Sequence, residues 1–86
     1  MSSEMIGPGC GVTVLGRAGL RYREGARTIC VDGEMLTGKY SFVIYAGSIR
    51  AWEGSDEPIS DDERLRIVGN IQMTFQQYGL AADVEQ

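Results

Sequence analysis

The stretch SDDERLRIVGNIQMTFQQYG, from Ser60 to Gly79, decides the fold because it alone reads as a full-length helix. Ser60 and Glu63 form a capping-box pattern: the hydroxyl accepts a hydrogen bond from an orphan backbone N–H, and the carboxylate reaches back to the cap. Gly79 can adopt the left-handed conformation that ends a helix, after which Leu80 can fold back onto Phe75. The sequence therefore predicts one helix between these two ends.

One side of this helix is apolar. At 100° per residue, one arc holds Leu65, Val68, Ile71, Phe75 and Tyr78, with Ile67 at its margin. The other side is predicted to point away from the core and holds Asp62, Arg66, Asn70, Met73 and Gln77. Because no other stretch reads as a helix, we expect the apolar arc to cover a β-sheet.

The stretch Leu20–Val31 predicts a hairpin whose two-residue turn is Gly25-Ala26. In that register the apolar residues share one face, and they are Leu20, Tyr22, Ile29 and Val31. The opposite face holds Arg21, Arg23, Thr28 and Cys30. A slip of one residue would mix the two sets, so the pattern itself favours this register.

Residues 40–46, YSFVIYA, are the most strand-like stretch and predict a central strand. The dipeptide at residues 47–48 predicts a tight turn into a second hairpin. That hairpin would pair Tyr45 with Arg50 and bring Trp52 to the same face. We therefore expect these three side chains on the sheet face that the helix leaves open.

Weaker signals complete the expected fold. Val12–Leu15 predicts a short strand, Asp32-Gly33 a turn or bulge, and Ala81–Val84 a last edge strand. Residues 1–11 are predicted to be a flexible N-terminal tail, and residues 12–86 a single domain. The predicted class is α+β: an antiparallel four- to five-stranded meander with one C-terminal helix packed on one face.

Composition excludes several functional classes. Eight basic and twelve acidic residues among 86 give a net charge of −4, which argues against nucleic acid and membrane surfaces as partners. No apolar run approaches the ~20 residues that span a bilayer, and the N-terminus lacks the pattern of a secretion signal. Cys10 and Cys30 match no disulfide framework or CxxC site. These features predict a cytoplasmic, bacterial-type protein with reduced thiols and an oligomeric state that the sequence leaves open.

Catalytic chemistry is not expected. The chain has no histidine, so it lacks an imidazole base, a Ser-His pair and an imidazole metal ligand. The acids between Glu53 and Glu63 match no calcium-loop spacing, and helix capping accounts for those at the helix start. We therefore expect no enzymatic activity, no cofactor and no metal site.

The open sheet face and the acidic loop beside it are the candidate binding site. The predicted partner-binding residues are Trp52, Tyr45, Arg50, Glu53, Asp56 and Glu57. Trp, Tyr and Arg are enriched at binding hot spots, and acidic residues attract a basic target. Two structural alternatives remain open: packing of the Trp52 ring at the edge of the core, and an ordinary solvated loop for the acidic run.

Three short motifs carry a resemblance to a known family. They are DGEMLTG at Asp32–Gly38, SIRAWE at Ser48–Glu53 and ISDDERLRIVGNI at Ile59–Ile71. Together they resemble the immunity protein 74 family of bacterial polymorphic toxin systems, whose members are small cytoplasmic antidotes. The chain departs from the expected pattern after Trp-Glu, where proline is delayed to Pro58. The resemblance implies stoichiometric binding and neutralisation of a cognate toxin domain, and an acidic antidote suits a basic target such as a nuclease.

A second hypothesis comes from a different class. The arginines and aromatic residues of the open sheet face could bind single-stranded nucleic acid by stacking, as accessory nucleic-acid modules do. The net negative charge and the neighbouring acidic loop weigh against it.

Overall fold

The computed structural model describes residues 4–16, 19–36 and 41–85, which form a six-stranded sheet and a long helix. The strands are β1 (Met5–Gly7), β2 (Cys10–Val14), β3 (Gly19–Glu24), β4 (Arg27–Met35), β5 (Ser41–Tyr45) and β6 (Ala81–Glu85), and the helix is α1 (Asp61–Gln77). The strands lie side by side in chain order, antiparallel from β1 to β5, with β6 parallel to β5. The predicted α+β class is confirmed, and the strand count is six rather than four or five.

Part of the segment predicted as a flexible tail belongs to the sheet. β1 pairs with β2 so that Ile6 lies opposite Gly11, and the turn between the strands places Gly9 at φ 69°. Met5 packs against the core and Cys10 is buried within it. A three-residue strand is too short for alternation to show in a sequence, which is why this glycine-rich segment reads as a lead-in.

The first hairpin is confirmed in the predicted register. β3 and β4 pair Leu20 with Val31 and Tyr22 with Ile29, and Gly25 takes the positive φ of 63° that the turn requires. The four apolar side chains are buried, as the alternation predicts.

The predicted turn or bulge at Asp32-Gly33 is wrong, because β4 runs straight through it to Met35. Gly33 lies opposite Ile44, and a side chain there would collide with the ring of Phe42 and the carbonyl of Val43. Glycine is therefore needed for close approach of two strands and not for a turn.

The predicted second hairpin is also wrong. β5 forms, but a 3-10 turn at Ala46–Ser48 follows it, and the chain then continues along β4 without reversing. The Asp32 N–H donates to Ser48 Oγ at 2.9 Å, and the Glu53 N–H donates to the Thr28 carbonyl at 2.9 Å. The second neighbour of β5 is β6, which is reached only after α1 and confirms the predicted last edge strand.

Both predicted ends of the helix are confirmed. The Glu63 N–H donates to Ser60 Oγ at 3.1 Å. At the other end the Leu80 N–H donates to the Phe75 carbonyl and the Gly79 N–H to the Gln76 carbonyl, with Gly79 at φ 76°, which is the Schellman arrangement.

The buried face of α1 is rotated from the predicted arc. The buried residues of the helix are Ile67, Val68, Ile71, Thr74 and Phe75. Leu65 is 68% exposed and Tyr78 is 50% exposed, so their predicted burial is wrong. The helix contacts β1, β2 and β6, and the sheet therefore curls around it from both edges. Cys10 Sγ lies 3.5 Å from Thr74 Oγ1. A flat sheet would not reach this side of the helix.

Candidate functional site

Trp52 lies in the core and not on the open sheet face. Its side chain is buried, with 7% exposure, and its ring lies 6.1 Å from that of Tyr22. Its indole Nε1 donates to Glu63 Oε2 at 3.1 Å, and the Arg27 guanidinium lies 4.4 Å from the ring centroid. The predicted placement of Trp52 on the open face is wrong because the hairpin that would have carried it there does not form. The core-edge alternative describes it instead.

The predicted capping box is therefore only half formed: the Glu63 N–H donates to Ser60, but the Glu63 carboxylate binds elsewhere. Instead of reaching back to the cap, its carboxylate joins Glu24, Arg27 and Arg66 in a four-residue ion network, defined here as the hairpin-end network. Arg66 pairs with Glu24 at 2.7 Å and with Glu63 at 3.5 Å, while Arg27 pairs with the same two carboxylates at 3.2 and 3.6 Å. This network ties the tip of the β3–β4 hairpin to the start of α1.

Tyr22 connects this network to the core. Its hydroxyl donates to Glu24 at 2.7 Å and accepts from Asn70 at 2.9 Å, and burial raises its pKa. Burial alone would raise the pKa of Glu24 too, but hydrogen bonds from Tyr22 and Arg66 and the nearby arginine charges outweigh it and lower that pKa. The charges of this cluster are thus satisfied within the chain.

The sheet face opposite α1 is open, and it has two halves that differ in electrostatics. The half on β1 to β3, here called the paired half, carries Glu4, Arg21 and Arg23 together with the Glu53 carboxylate. The half on β4 to β6, here called the acidic half, carries Asp32, Glu34, Tyr45, Asp83 and Glu85. The two are neighbours on a continuous sheet.

Charges on the paired half neutralise one another. Arg23 makes two hydrogen bonds to the Glu4 carboxylate, at 2.8 and 3.0 Å, and these lower the pKa of Glu4. Arg21 lies 3.8 Å from Glu53, whose carboxylate also lies 3.7 Å from Cys30 Sγ. This half therefore offers little unbalanced charge to a partner.

The acidic half shows no such ion pairs among the described residues. Asp32, Glu34, Asp83 and Glu85 form no ion pair with any part of the chain that the structure describes. The Tyr45 hydroxyl donates to Glu34 at 3.1 Å, and this bond, with the charges of Glu34 and then Glu85, raises the pKa of Tyr45. Among the described residues, four carboxylates without an ion pair thus lie around one tyrosine.

A shallow depression of about 540 Å³ lies at the rim of this half, lined by Asp32, Tyr45, Gly47, Ser48 and Arg50. Arg50 donates from Nε to the Gly47 carbonyl at 3.2 Å. Within residues 4–16, 19–36 and 41–85, Arg50 is the one arginine without an ion pair. Among the described residues, the depression therefore holds one positive charge without an ion pair.

The structure brings together only part of the predicted site. Tyr45 and Arg50 meet at the depression, Glu53 turns to the paired half, and Trp52 is buried. Asp56 and Glu57 lie exposed in the loop before α1, and their part in binding stays a prediction.

Sequence reasoning missed the acidic residues of β4 and β6. The available signal was the alternation Asp83-Val84-Glu85, which predicts a strand with one acidic face. Only the parallel pairing of β6 with β5 places that face next to Glu34, and nothing local to either strand indicates this pairing.

Among the described residues, no three histidine, cysteine or carboxylate side chains cluster as metal ligands would. Within the same residues, no helix has the length and apolar character needed to cross a membrane.

The fold and this surface define a small α+β domain with one sheet face closed by a helix and the other open and unevenly charged. The chain belongs to the immunity protein 74 family, whose family model matches residues 12–85, nearly the whole sequence. Searches of curated proteins and of solved structures found no match. Family membership supports an immunity role in which the chain binds a toxin.

Proposed function

We propose that this chain neutralises a cognate toxin domain by stoichiometric binding through the acidic half of its open sheet face and Arg50. The carrying observation is the uneven distribution of ion pairs. The arginines of the paired half are matched with acids, whereas Asp32, Glu34, Asp83 and Glu85 form no ion pair in the described chain. Membership of an immunity protein family supports a toxin as the partner of this surface.

The chemistry of this surface suits a basic target such as a nuclease. Uncompensated carboxylates on one face attract a positively charged partner and speed its encounter, and they repel acidic competitors. Since nucleases bind an anionic substrate, their active-site clefts carry the complementary charge. Coverage of that cleft by the acidic half would exclude the substrate without any turnover by the antidote.

Most of the binding free energy would come from contacts in the depression, and little from the exposed carboxylates around it. Tyr45 and Arg50 are the residue types that most often anchor interfaces, and here they line the same concave surface. Asp56 and Glu57 would add a flanking contact from the loop before α1.

The nucleic-acid alternative gains no support from these contacts. Arg21 and Arg23 are already paired with Glu53 and Glu4, and the Trp52 ring that would stack on a base is buried.

Co-expression tests the proposal. The chain is produced together with a candidate toxin domain from a neighbouring reading frame, and cell growth is measured. Wild type should restore growth, and a variant with Asp32→Asn, Glu34→Gln, Asp83→Asn and Glu85→Gln should not. The matched control is Asp62→Asn, which neutralises an exposed acid on α1 and not on this sheet face. Growth arrest in the presence of soluble wild-type chain would refute the toxin-binding role. Full protection by the fourfold variant would refute the acidic half as the site.

A further inference from the structure

The outward side of α1 carries a second surface that the proposed toxin site does not use. Leu65 is 68% exposed and Met73 is 46% exposed, and Gly69 lies midway between them on the same helical stripe. A side chain placed on Gly69 would meet no atom within 4 Å. A groove of about 590 Å³ runs beside this stripe and is bordered by Leu80 and Ala81 at the start of β6.

This stripe is nearly symmetric about Gly69. Four residues before it stands Leu65 and four after it Met73; three before it stands Arg66 and three after it Gln72. We propose that a second copy of this chain docks here, with the two α1 helices packed antiparallel across a two-fold axis at Gly69. A two-fold interface requires a self-complementary patch, and this arrangement places Leu65 of each copy beside Met73 of the other.

Charge is compatible with this pairing. The axis sets Arg66 beside the second copy's Gln72, and Asp62 beside its Gln76, so no like charges face each other. Arg66 already pairs with Glu24 and Glu63, so it presents mainly its aliphatic stem to the groove. The antiparallel arrangement also opposes the two helix dipoles favourably. By contrast, the acidic half of the sheet would repel a second copy of itself.

Gly69 sets how closely the helices can approach. With no side chain at the crossing, axes about 8 Å apart bring the two Gly69 Cα atoms to roughly 3.5–5.5 Å. The patch spans one 17-residue helix, roughly 25 Å long, and the edge of β6. A strip of that length and about 10–12 Å wide covers roughly 250–300 Å² of each copy, well below the roughly 800 Å² per partner of a standard stable interface, so the dimer should be weak and dependent on concentration.

Sedimentation velocity over a range of concentrations tests this dimer. Wild type should shift from monomer to dimer as concentration rises, and Gly69→Glu should remain monomeric because it sets two like charges on the axis. The open space around Gly69 allows this change without disturbing the monomer, which circular dichroism verifies. Ser55→Glu adds the same charge in the exposed loop before α1, off the helix, and should dimerise as wild type does.

Cross-linking gives an independent readout if Gly69→Glu fails to fold. In a Cys30→Ser background, Gly69→Cys should oxidise to a disulfide-linked dimer, because the expected Cα separation overlaps the roughly 4.4–6.8 Å of disulfides. Ser55→Cys, in the exposed loop before α1, should not do so in the same background. A wild type that stays monomeric at every concentration, or a dimer that survives Gly69→Glu and does not cross-link at position 69, would overturn the proposal. Weaker toxin binding by Gly69→Glu, with a monomeric wild type, would assign the stripe to the toxin instead.

Discussion

Trp52 shows how the surroundings of one side chain separate a packing role from a binding role. Tyr22 and Arg27 cover the ring, and Glu63 accepts from its indole nitrogen. A tryptophan with its polar group satisfied inside the chain stabilises the fold, and has little surface left to offer a partner. A tryptophan between two charged stretches looks the same in sequence in either role.

Trp52→Ala should therefore lower the free energy of unfolding by about 3–5 kcal/mol, because it removes a buried aromatic ring and leaves a cavity. This reverses the expectation for an exposed hot-spot residue, which would lose binding at little cost in stability. Urea unfolding measures the change. Trp52→Phe keeps an aromatic ring but loses the hydrogen bond to Glu63, so it should lower the free energy of unfolding by less than Trp52→Ala does. A stable Trp52→Ala protein that no longer binds the toxin would restore the binding role.

Arg50, in contrast to Trp52, is proposed to contribute to binding and little to stability. Its guanidinium has no ionic partner in the described chain, so Arg50→Ala should leave stability within about 0.5 kcal/mol of wild type. Toxin affinity should fall by roughly thirtyfold or more, as for a central interface arginine. Isothermal titration provides the affinity. Arg64→Ala is the matched control: Arg64 pairs with Asp61 and lies outside the depression. Unchanged affinity in Arg50→Ala would remove it from the interface.

Glu24 makes stability depend on pH in the acid range. Its pKa is lowered in the folded state from 4.5, so the stabilisation is present above the unfolded pKa and is lost as pH falls through the folded pKa. Glu24→Gln should cost about 1–3 kcal/mol at pH 7, where it removes the charged acceptor of Tyr22 and Arg66. The difference in unfolding free energy between Glu24→Gln and wild type should narrow below pH about 4.5. Asp56→Asn, in the exposed loop, is the control. A gap that stays constant from pH 7 to 3 would contradict this account.

At the scale of the elements, α1 shows what local pattern can and cannot predict. Its ends follow from Ser60 and Gly79 because capping is decided by residues next to each other in sequence. Its buried face does not, because the face is set by the sheet. A sheet that curls toward both flanks of the helix buries Ile67 and Thr74 and leaves Leu65 in solvent.

A matched pair of helix variants distinguishes the two faces. Ile67→Ala should destabilise by about 2–5 kcal/mol, since Ile67 is fully buried, whereas Leu65→Ala should change stability by about 0.5 kcal/mol or less. Both changes remove a branched aliphatic side chain from the same helix, so helix propensity affects them similarly. Thermal or urea unfolding ranks them. A larger loss for Leu65→Ala would return the helix to the arc predicted from sequence.

The strands also differ in how well local sequence predicts their pairing. Alternation and a two-residue turn settle the β3–β4 register, because the partners are only a few residues apart. The path after β5 was mispredicted because a glycine-serine step fits a 3-10 turn as well as a hairpin. Which strand lies beside β5 depends on contacts made only after α1 has packed, so local sequence carries no signal for it.

At the scale of the whole molecule, charge is sorted by face. Four arginines lie where acids pair with them: Arg27 and Arg66 in the hairpin-end network, and Arg21 and Arg23 on the paired half. The net charge of −4 is therefore not spread evenly, and the acidic half holds four carboxylates that form no ion pair with the described residues. Sequence predicted the sign of the charge and two residues of this surface, Tyr45 and Arg50. The rest required the order of strands.

The rate of association with the toxin domain, measured by stopped flow at increasing salt concentration, tests the central claim most directly. Electrostatic attraction to the acidic half predicts fast association that slows steeply as salt rises. The fourfold variant at Asp32, Glu34, Asp83 and Glu85 should associate roughly tenfold or more slowly at low salt, with a much flatter dependence. Asp62→Asn should retain the wild-type rate and slope. A fourfold variant that associates at the wild-type rate with the wild-type salt dependence would contradict the account.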